Sequence, residues 1–173
     1  MQMVKTLGLL LASVMLIAGV YYFRQQSQKP AQEIHYHAGY EVYKDGALQD
    51  FSDLKYMDME PCVEGEKEEE EKEEHDLDLH DGIGNVAHVH GEGVTWRKLF
   101  EYLRQDYPDA SVTAYMNGVK LDQVLDKKMD AYDRGVFFVG EDSEQQKHID
   151  ESMQRITKDY IVRIEKKGES CTK

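Results

Sequence analysis

Two short stretches concentrate the side chains that bind metal ions. "HYH", His35 to His37, and "HDGIGNVAHVH", His80 to His90, hold five of the seven histidines. Each ends in an HxH pair: His35/His37 and His88/His90. On a β-strand, residues i and i+2 point the same way about 7 Å apart, so two imidazoles reach one ion and a neighbouring strand supplies the rest. Asp78 and Asp81 add carboxylates beside His80. Three or four imidazoles with a carboxylate suit zinc, copper(II) or nickel. Met57, Met59 and Cys62 in "YMDMEPC" are soft donors that would tilt the choice toward copper. The methionines serve equally as core packing, and Asp81 as a turn cap. The alternative for the histidines is a hydrogen-bonded polar face that titrates near neutral pH.

The elements that carry these residues are legible from their periods. In "EIHYHAGYEVYKDGALQDF", Ile34, Tyr36, Ala38, Tyr40 and Val42 fall on one side of a strand. Glu33, His35, His37, Gly39 and Glu41 fall on the other. Asp45-Gly46 is a tight-turn signal, so residues 34–51 read as a β-hairpin. A second hairpin pairs "DLDLH", 76–80, with "AHVH", 87–90, through the turn Asp81 to Asn85. Keeping Leu77, Leu79, Ala87 and Val89 on one buried face fixes its register, since a slip of one residue turns every side chain over. Asp76, Asp78, His80, His88 and His90 then share the opposite face. If the first hairpin lies beside the second, His35 and His37 join them.

Thr95 reads as the N-cap of a helix with Trp96, Leu99, Phe100 and Leu103 on its apolar side. "SVTAYM" is a strand, Asn117-Gly118 a turn, "VKL" a short return strand and "GVFFVG" an apolar strand suited to the middle of a sheet. Ile149, Met153, Ile156, Tyr160 and Ile164 recur every three or four residues, which predicts one amphipathic helix over about 141–165. Between the hairpins, "VEGEKEEEEKEEH", 63–75, has nothing apolar to bury and reads as a solvated, disordered insert.

The chain of 173 residues has a net charge of −13; without the basic Lys5 and Arg24, residues 25–173 carry −15. Nucleic acid is excluded as a partner, because phosphate binding needs basic patches. Residues 7–23, "LGLLLASVMLIAGVYYF", are uncharged and flanked by Lys5 and Arg24. They predict an N-terminal membrane anchor over 1–24, with Tyr21, Tyr22 and Phe23 at the interface. A cleaved signal peptide is the rival, but no small-x-small site follows. Residues 25–32 form a polar linker. The expected location is the cell membrane, single-pass, with the acidic domain extracytoplasmic. There, Cys62 and Cys171 could form a disulfide; the alternative is Cys62 as a metal ligand with Cys171 in the tail, 166–173.

The order hairpin, helix, strand, short strand, strand over 76–140 resembles a β-grasp, or ubiquitin-like, domain. The resemblance implies an α+β fold and carries no function. The division that follows is a His-bearing hairpin and loop over 33–62, the insert, the β-grasp-like part, and the C-terminal helix. The chain also resembles a family of membrane-anchored bacterial proteins that share HxHA, a Pro-Cys, and LHD…HVH before a helix. The matching positions are His35, His37, Pro61, Cys62, His80, Asp81, His88 and His90. That resemblance implies a shared site at these residues and brings no activity with it.

Three functions are compatible with this pattern. The leading one is a membrane-anchored extracytoplasmic domain that binds zinc or copper for storage, delivery or sensing, through His35, His37, His80, His88, His90, Asp78, Asp81 and Cys62. The second is a structural or protein-interaction module of the cell envelope. The third is a metal-dependent enzyme, for which Asp76, Asp78 and Asp81 offer acids or bases, although HExxH, a nucleophile elbow and a phosphate loop are all absent from the sequence.

Overall fold

The computed structural model describes residues 15, 19, 21–22, 34–57, 75–108 and 111–167. The chain divides into two units, Met1–Glu33 and Ile34–Lys173. In the first, Met15, Gly19, Tyr21 and Tyr22 are helical. Among the described residues no helix is long and apolar enough to cross a membrane. The anchor expected over 7–23 lies mostly outside the described residues. So do the linker, the acidic insert as far as Glu74, Met59, Cys62 and Cys171.

The second unit is α+β, a seven-stranded mixed sheet with three helices. The strands are β1 (Tyr36–Lys44), β2 (Ala47–Leu48), β3 (Leu77–Asp78), β4 (Val86–Val89), β5 (Val112–Met116), β6 (Val119–Leu121) and β7 (Arg134–Val139). The helices are α1 (Trp96–Tyr102), α2 (Gln145–Arg155) and α3 (Lys158–Glu165). The strand order is β3-β4-β1-β7-β5-β6, and β2 pairs with the C-terminal end of β1. The β1–β7 pair is parallel, and the other pairings within the sheet are antiparallel.

β1 runs beside β7 at the centre of the sheet, within the one unit Ile34–Lys173. The first hairpin is real but lopsided. Asp45 and Gly46 turn the chain with positive φ at both positions, the geometry that matches strand twist, and β2 then pairs over only two residues. The freed N-terminal half of that edge of β1 is taken by β4.

One face of the sheet packs on α1. Trp96, Leu99, Phe100 and Leu103 meet Ala38, Tyr40, Val42, Leu77, Leu79, Ala87, Val89, Ala114 and Phe137 in one buried cluster. Each large side chain fully buried there contributes roughly 1.5–3 kcal/mol. Met57 belongs to this core, which settles its role as packing. Thr95 stands at the N-cap of α1 with extended backbone, but its side chain makes no capping bond.

The other face is covered as well. Here α2 and α3 lay Ile149, Ile156, Ile161 and Ile164 on Tyr43, Val86, Val136 and Phe138. Strand β7 thus buries both sets of side chains, as an uninterrupted apolar run in a central strand requires. The single C-terminal helix expected from periodicity is two. Ile156 leaves the helical region, and Thr157 is extended and accepts a hydrogen bond from the Tyr160 N–H, starting α3 afresh. The break keeps the apolar spacing while re-aiming the second segment across β1.

The close approach of α3 needs Gly39. A Cβ there would lie 3.0 Å from Ile161 Cδ1 and 3.3 Å from Ile156 Cβ. Gly39→Val adds two further methyl groups to that contact. It is expected to cost about 1–3 kcal/mol by overpacking, read as a lower midpoint in urea with an unchanged slope.

Candidate metal centre

Register places the histidines. In the β1–β4 pairing His37 faces His88, and in the β3–β4 pairing Asp78 faces His88. The alternation of each strand therefore puts one row, Asp78–His88–His37, across three adjacent strands on the side away from α1. His35 lies one residue before β1, two before His37, and His90 one residue past β4, two after His88. The parity argument from Leu77, Leu79, Ala87 and Val89 holds, since all four are buried in the α1-side core. The turn that returns the chain from His80 to Val86 leans on the main chain of Phe51 and Ser52. A Cβ at Gly84 would fall 2.3 Å from Phe51 C and Ser52 N, so only glycine fits.

The rings converge. His37 and His88 stack with centroids 4.8 Å apart and planes 8° from parallel. His35 lies 4.5 Å from His88 and 5.5 Å from His37, centroid to centroid. His80 stands edge-on to His88 at 5.2 Å. His35, His37 and His88 each offer a ligand atom within 4.8 Å of the others, and so do Asp78, His80 and His88. Because His37 and His88 stack nearly parallel, at least one of the two rings must turn for both to direct a nitrogen at one ion.

Burial grades across the cluster. His37 is 2% exposed and His88 4%, Asp78 and His80 are half-buried, and His35 and His90 face solvent. Hydrogen bonding is uneven. His88 Nδ1 donates to Asp78 Oδ1 at 3.2 Å, because an ionised carboxylate only accepts. Asp78 Oδ2 lies 3.3 Å from His90 Nε2. His80 Nδ1 is 3.2 Å from Asp81 Oδ2. Neither ring nitrogen of His37 has a hydrogen-bond partner among the described residues.

The electrostatics follow from this geometry. Burial first, and then the neighbouring His88, His80 and His35, together lower the His37 imidazole to about 4 against the opposing pull of Asp78. His37 is therefore neutral, with a free lone pair, throughout the physiological range. Burial pushes the Asp78 carboxyl up. The hydrogen bond from His88 and the charges of His88, His80 and His90 outweigh that push and hold it below the usual carboxylate range.

Comparison with protein-family models, curated proteins and solved structures finds no match.

The expected ligands sort as follows. His35, His37, His88, Asp78 and His80 come together. His90 is on the same face but touches the cluster through Asp78. Asp81 sits in the turn with φ +58° and bonds to His80, so it serves the turn and orients an imidazole rather than joining either triad. Cys62 lies outside the described residues. Asp76, expected on the same face, lies just before β3 and pairs with Lys98 of α1, the helix that packs on the other face of the sheet.

The sequence reading passed over a second polar group, on β1 beneath α2. Glu41, 5% exposed, accepts from Arg155 Nε at 2.9 Å, Arg155 Nη2 at 2.7 Å and Ser152 Oγ at 2.6 Å. His148, on α2, is half-buried. It stacks on Tyr43 at 4.5 Å and bonds Asp142 at 2.7 Å. The available signal was a glutamate between Gly39 and Tyr43 on a strand with apolar neighbours. Arg155→Ala leaves that carboxylate buried without its cation. An expected loss of about 2 kcal/mol, discounted because the guanidinium is partly exposed, would appear in urea unfolding.

His37 makes metal-free stability depend on pH. The folded state takes up this proton only near pH 4, and the unfolded chain near 6.5. Below 6.5 the unfolded state gains a proton that the folded state refuses, so stability falls as pH drops toward 4. Between pH 7 and pH 5 the loss from this residue is about 2 kcal/mol. Urea unfolding in chelator at the two pH values should show this component in the wild type and not in His37→Asn.

Proposed function

We propose that the domain binds a transition-metal ion through His35, His37 and His88. The observation that carries this reading is His37, buried and neutral, with neither ring nitrogen hydrogen-bonded among the described residues. Leaving such a group unsatisfied costs about 1–3 kcal/mol. Polar faces put imidazoles in water or give them partners. A metal ion instead uses the lone pair and offsets the cost. Two further features support the reading. Three imidazoles already converge, and Asp78 accepts the Nδ1 proton of His88, which presents Nε2 as the ligand. Carboxylates that orient a ligating histidine in this way also raise its basicity.

Imidazole and carboxylate donors favour zinc or copper(II) over the hard cations calcium and magnesium. The exposure of His35 and His90 leaves the cluster open to solvent, which suits uptake and release: storage, delivery or sensing. No catalytic acid or base is assigned. The order β4-β1-β7-β5-β6, with a parallel central pair, supports reading the sheet as β-grasp-like, extended by β3 at one edge and by β2 on β1. The apolar stretch 7–23 and its basic flanks support an anchor, with the acidic domain outside the cytoplasm.

The test is metal analysis of the full-length chain, purified without a histidine tag. Zinc and copper would be counted beside the variant His35→Ala/His37→Ala/His88→Ala/His90→Ala. The expected result is at least one ion per chain in the wild type and none in the variant, with circular dichroism confirming that both are folded. Equal metal content in the two, or none in the wild type after loading with zinc and with copper, would remove the proposal.

A further inference from the structure

Asp78 and His80 do not belong to the triad just described. Among the described residues, the five converging side chains separate into His35–His37–His88 and Asp78–His80–His88, with His88 common to both. Strand order explains the division. β4 lies between β1 and β3, so His88 has a histidine-bearing strand on one side and an acid-and-histidine strand on the other. Its Nδ1 is turned to β3, 3.2 Å from Asp78 Oδ1. The two nitrogens of an imidazole diverge, so the edge carrying Nε2 is turned away from Asp78.

From this arrangement we infer that the cluster is a dinuclear site in which His88 bridges two divalent ions. Nε2 serves the ion held by His35 and His37. Nδ1 serves the ion held by Asp78 and His80. This inference deepens the metal-binding reading and rests on it. The hydrogen that His88 shares with Asp78 occupies the place of the second ion. When that ion binds, the Nδ1 proton leaves to solvent and the ring becomes an imidazolate. No electron is transferred. The imidazolate and the Asp78 carboxylate place negative charge at the second ion, which offsets its repulsion by the first. His90 Nε2, 3.3 Å from Asp78 Oδ2, is placed to complete the second shell of ligands. The second position, on the outer strand β3, must displace the Nδ1 proton of His88 and sits beside an ion already bound. It is therefore the weaker site and fills last. The ions that fit both sets are those that accept imidazole and carboxylate together, zinc and copper(II).

Copper(II) titrated into the chelator-stripped full chain tests the bridge. Bound copper is counted after desalting, and its electron paramagnetic resonance is integrated at one and at two equivalents. Two ions per chain are expected. At one equivalent the signal should match the copper content. At two it should fall well below it, because an imidazolate couples two copper spins antiferromagnetically. Asp78→Asn and His35→Ala should each retain one ion with full signal, the first by losing the outer position and the second by losing the inner one. One ion in the wild type, or two whose signals simply add, would overturn the bridge and leave the metal-binding reading in place. No bound ion would overturn both.

Discussion

Strand β1 is the constraint on which the rest of the domain depends. It is hydrogen-bonded along both edges, to β7 on one side and to β4 and β2 in succession on the other. It is also covered on both faces, by α1 and by the α2–α3 pair. A strand so enclosed has no freedom to slide, because a one-residue slip would exchange Ala38, Tyr40 and Val42 with His37, Gly39 and Glu41. The first set fills an apolar core, and the second meets isoleucines, an arginine and three other imidazoles. Each alternative register buries charge against hydrocarbon. The positions of His35 and His37 are thus specified by apolar packing elsewhere on the same strand.

The face that carries the histidines shows how polar chemistry is held in a largely apolar layer. From His35, just before β1, the side chains on this face run His35, His37, Gly39, Glu41, Tyr43. Gly39 is the narrow point where Ile161 sits down on the sheet. On one side of it Glu41 is matched by a guanidinium, a hydroxyl and the end of α2, so its charge is satisfied within the fold. On the other side His37 has no such match. The contrast between these two buried polar groups, four residues apart on one strand, separates a structural ion pair from a candidate ligand site. α3 reinforces this end of the sheet, with Tyr160 Oη donating to Asn85 Oδ1 and Tyr132 Oη donating to Glu165 Oε2.

Much of this was legible in the sequence because it depends on local rules. The period-2 alternation of 34–42 and 76–90, the Asp45-Gly46 and Asn117-Gly118 turns, and the unbroken apolar run of β7 each fix an element or a face by short-range sterics. The histidine row followed from parity once Leu77, Leu79, Ala87 and Val89 were kept together. What could not be read is which strands become neighbours across long separations. β1 joins β7 over about ninety residues, and nothing local in "YHAGYEVYK" announces a parallel partner. The burial of Glu41 and His37 depends on that pairing and on helices at the far end of the chain. The break at Ile156–Thr157 was hidden because it preserves the apolar spacing. The division of the ligands into two triads depends on β4 lying between β1 and β3, which spacing along the chain does not encode.

Strand β3 has a kinetic meaning that its place in the sheet conceals. It is an edge strand whose ladder with β4 spans Leu77 and Asp78, continued by the His90 and Gly91 N–H groups donating to Asp76 O, whereas β1 is paired along both edges. Segments with so few backbone bonds open locally at a small fraction of the free energy that unfolds the domain. Asp78 and His80 would move away with β3 when it frays, while His35, His37 and His88 stay fixed on the rigid interior strands. Ligands borne by a fraying edge exchange fast, and ligands borne by the centre exchange slowly. A metal held here would have its residence time set by the lifetime of two β-ladder pairs rather than by the strength of any single bond to the ion.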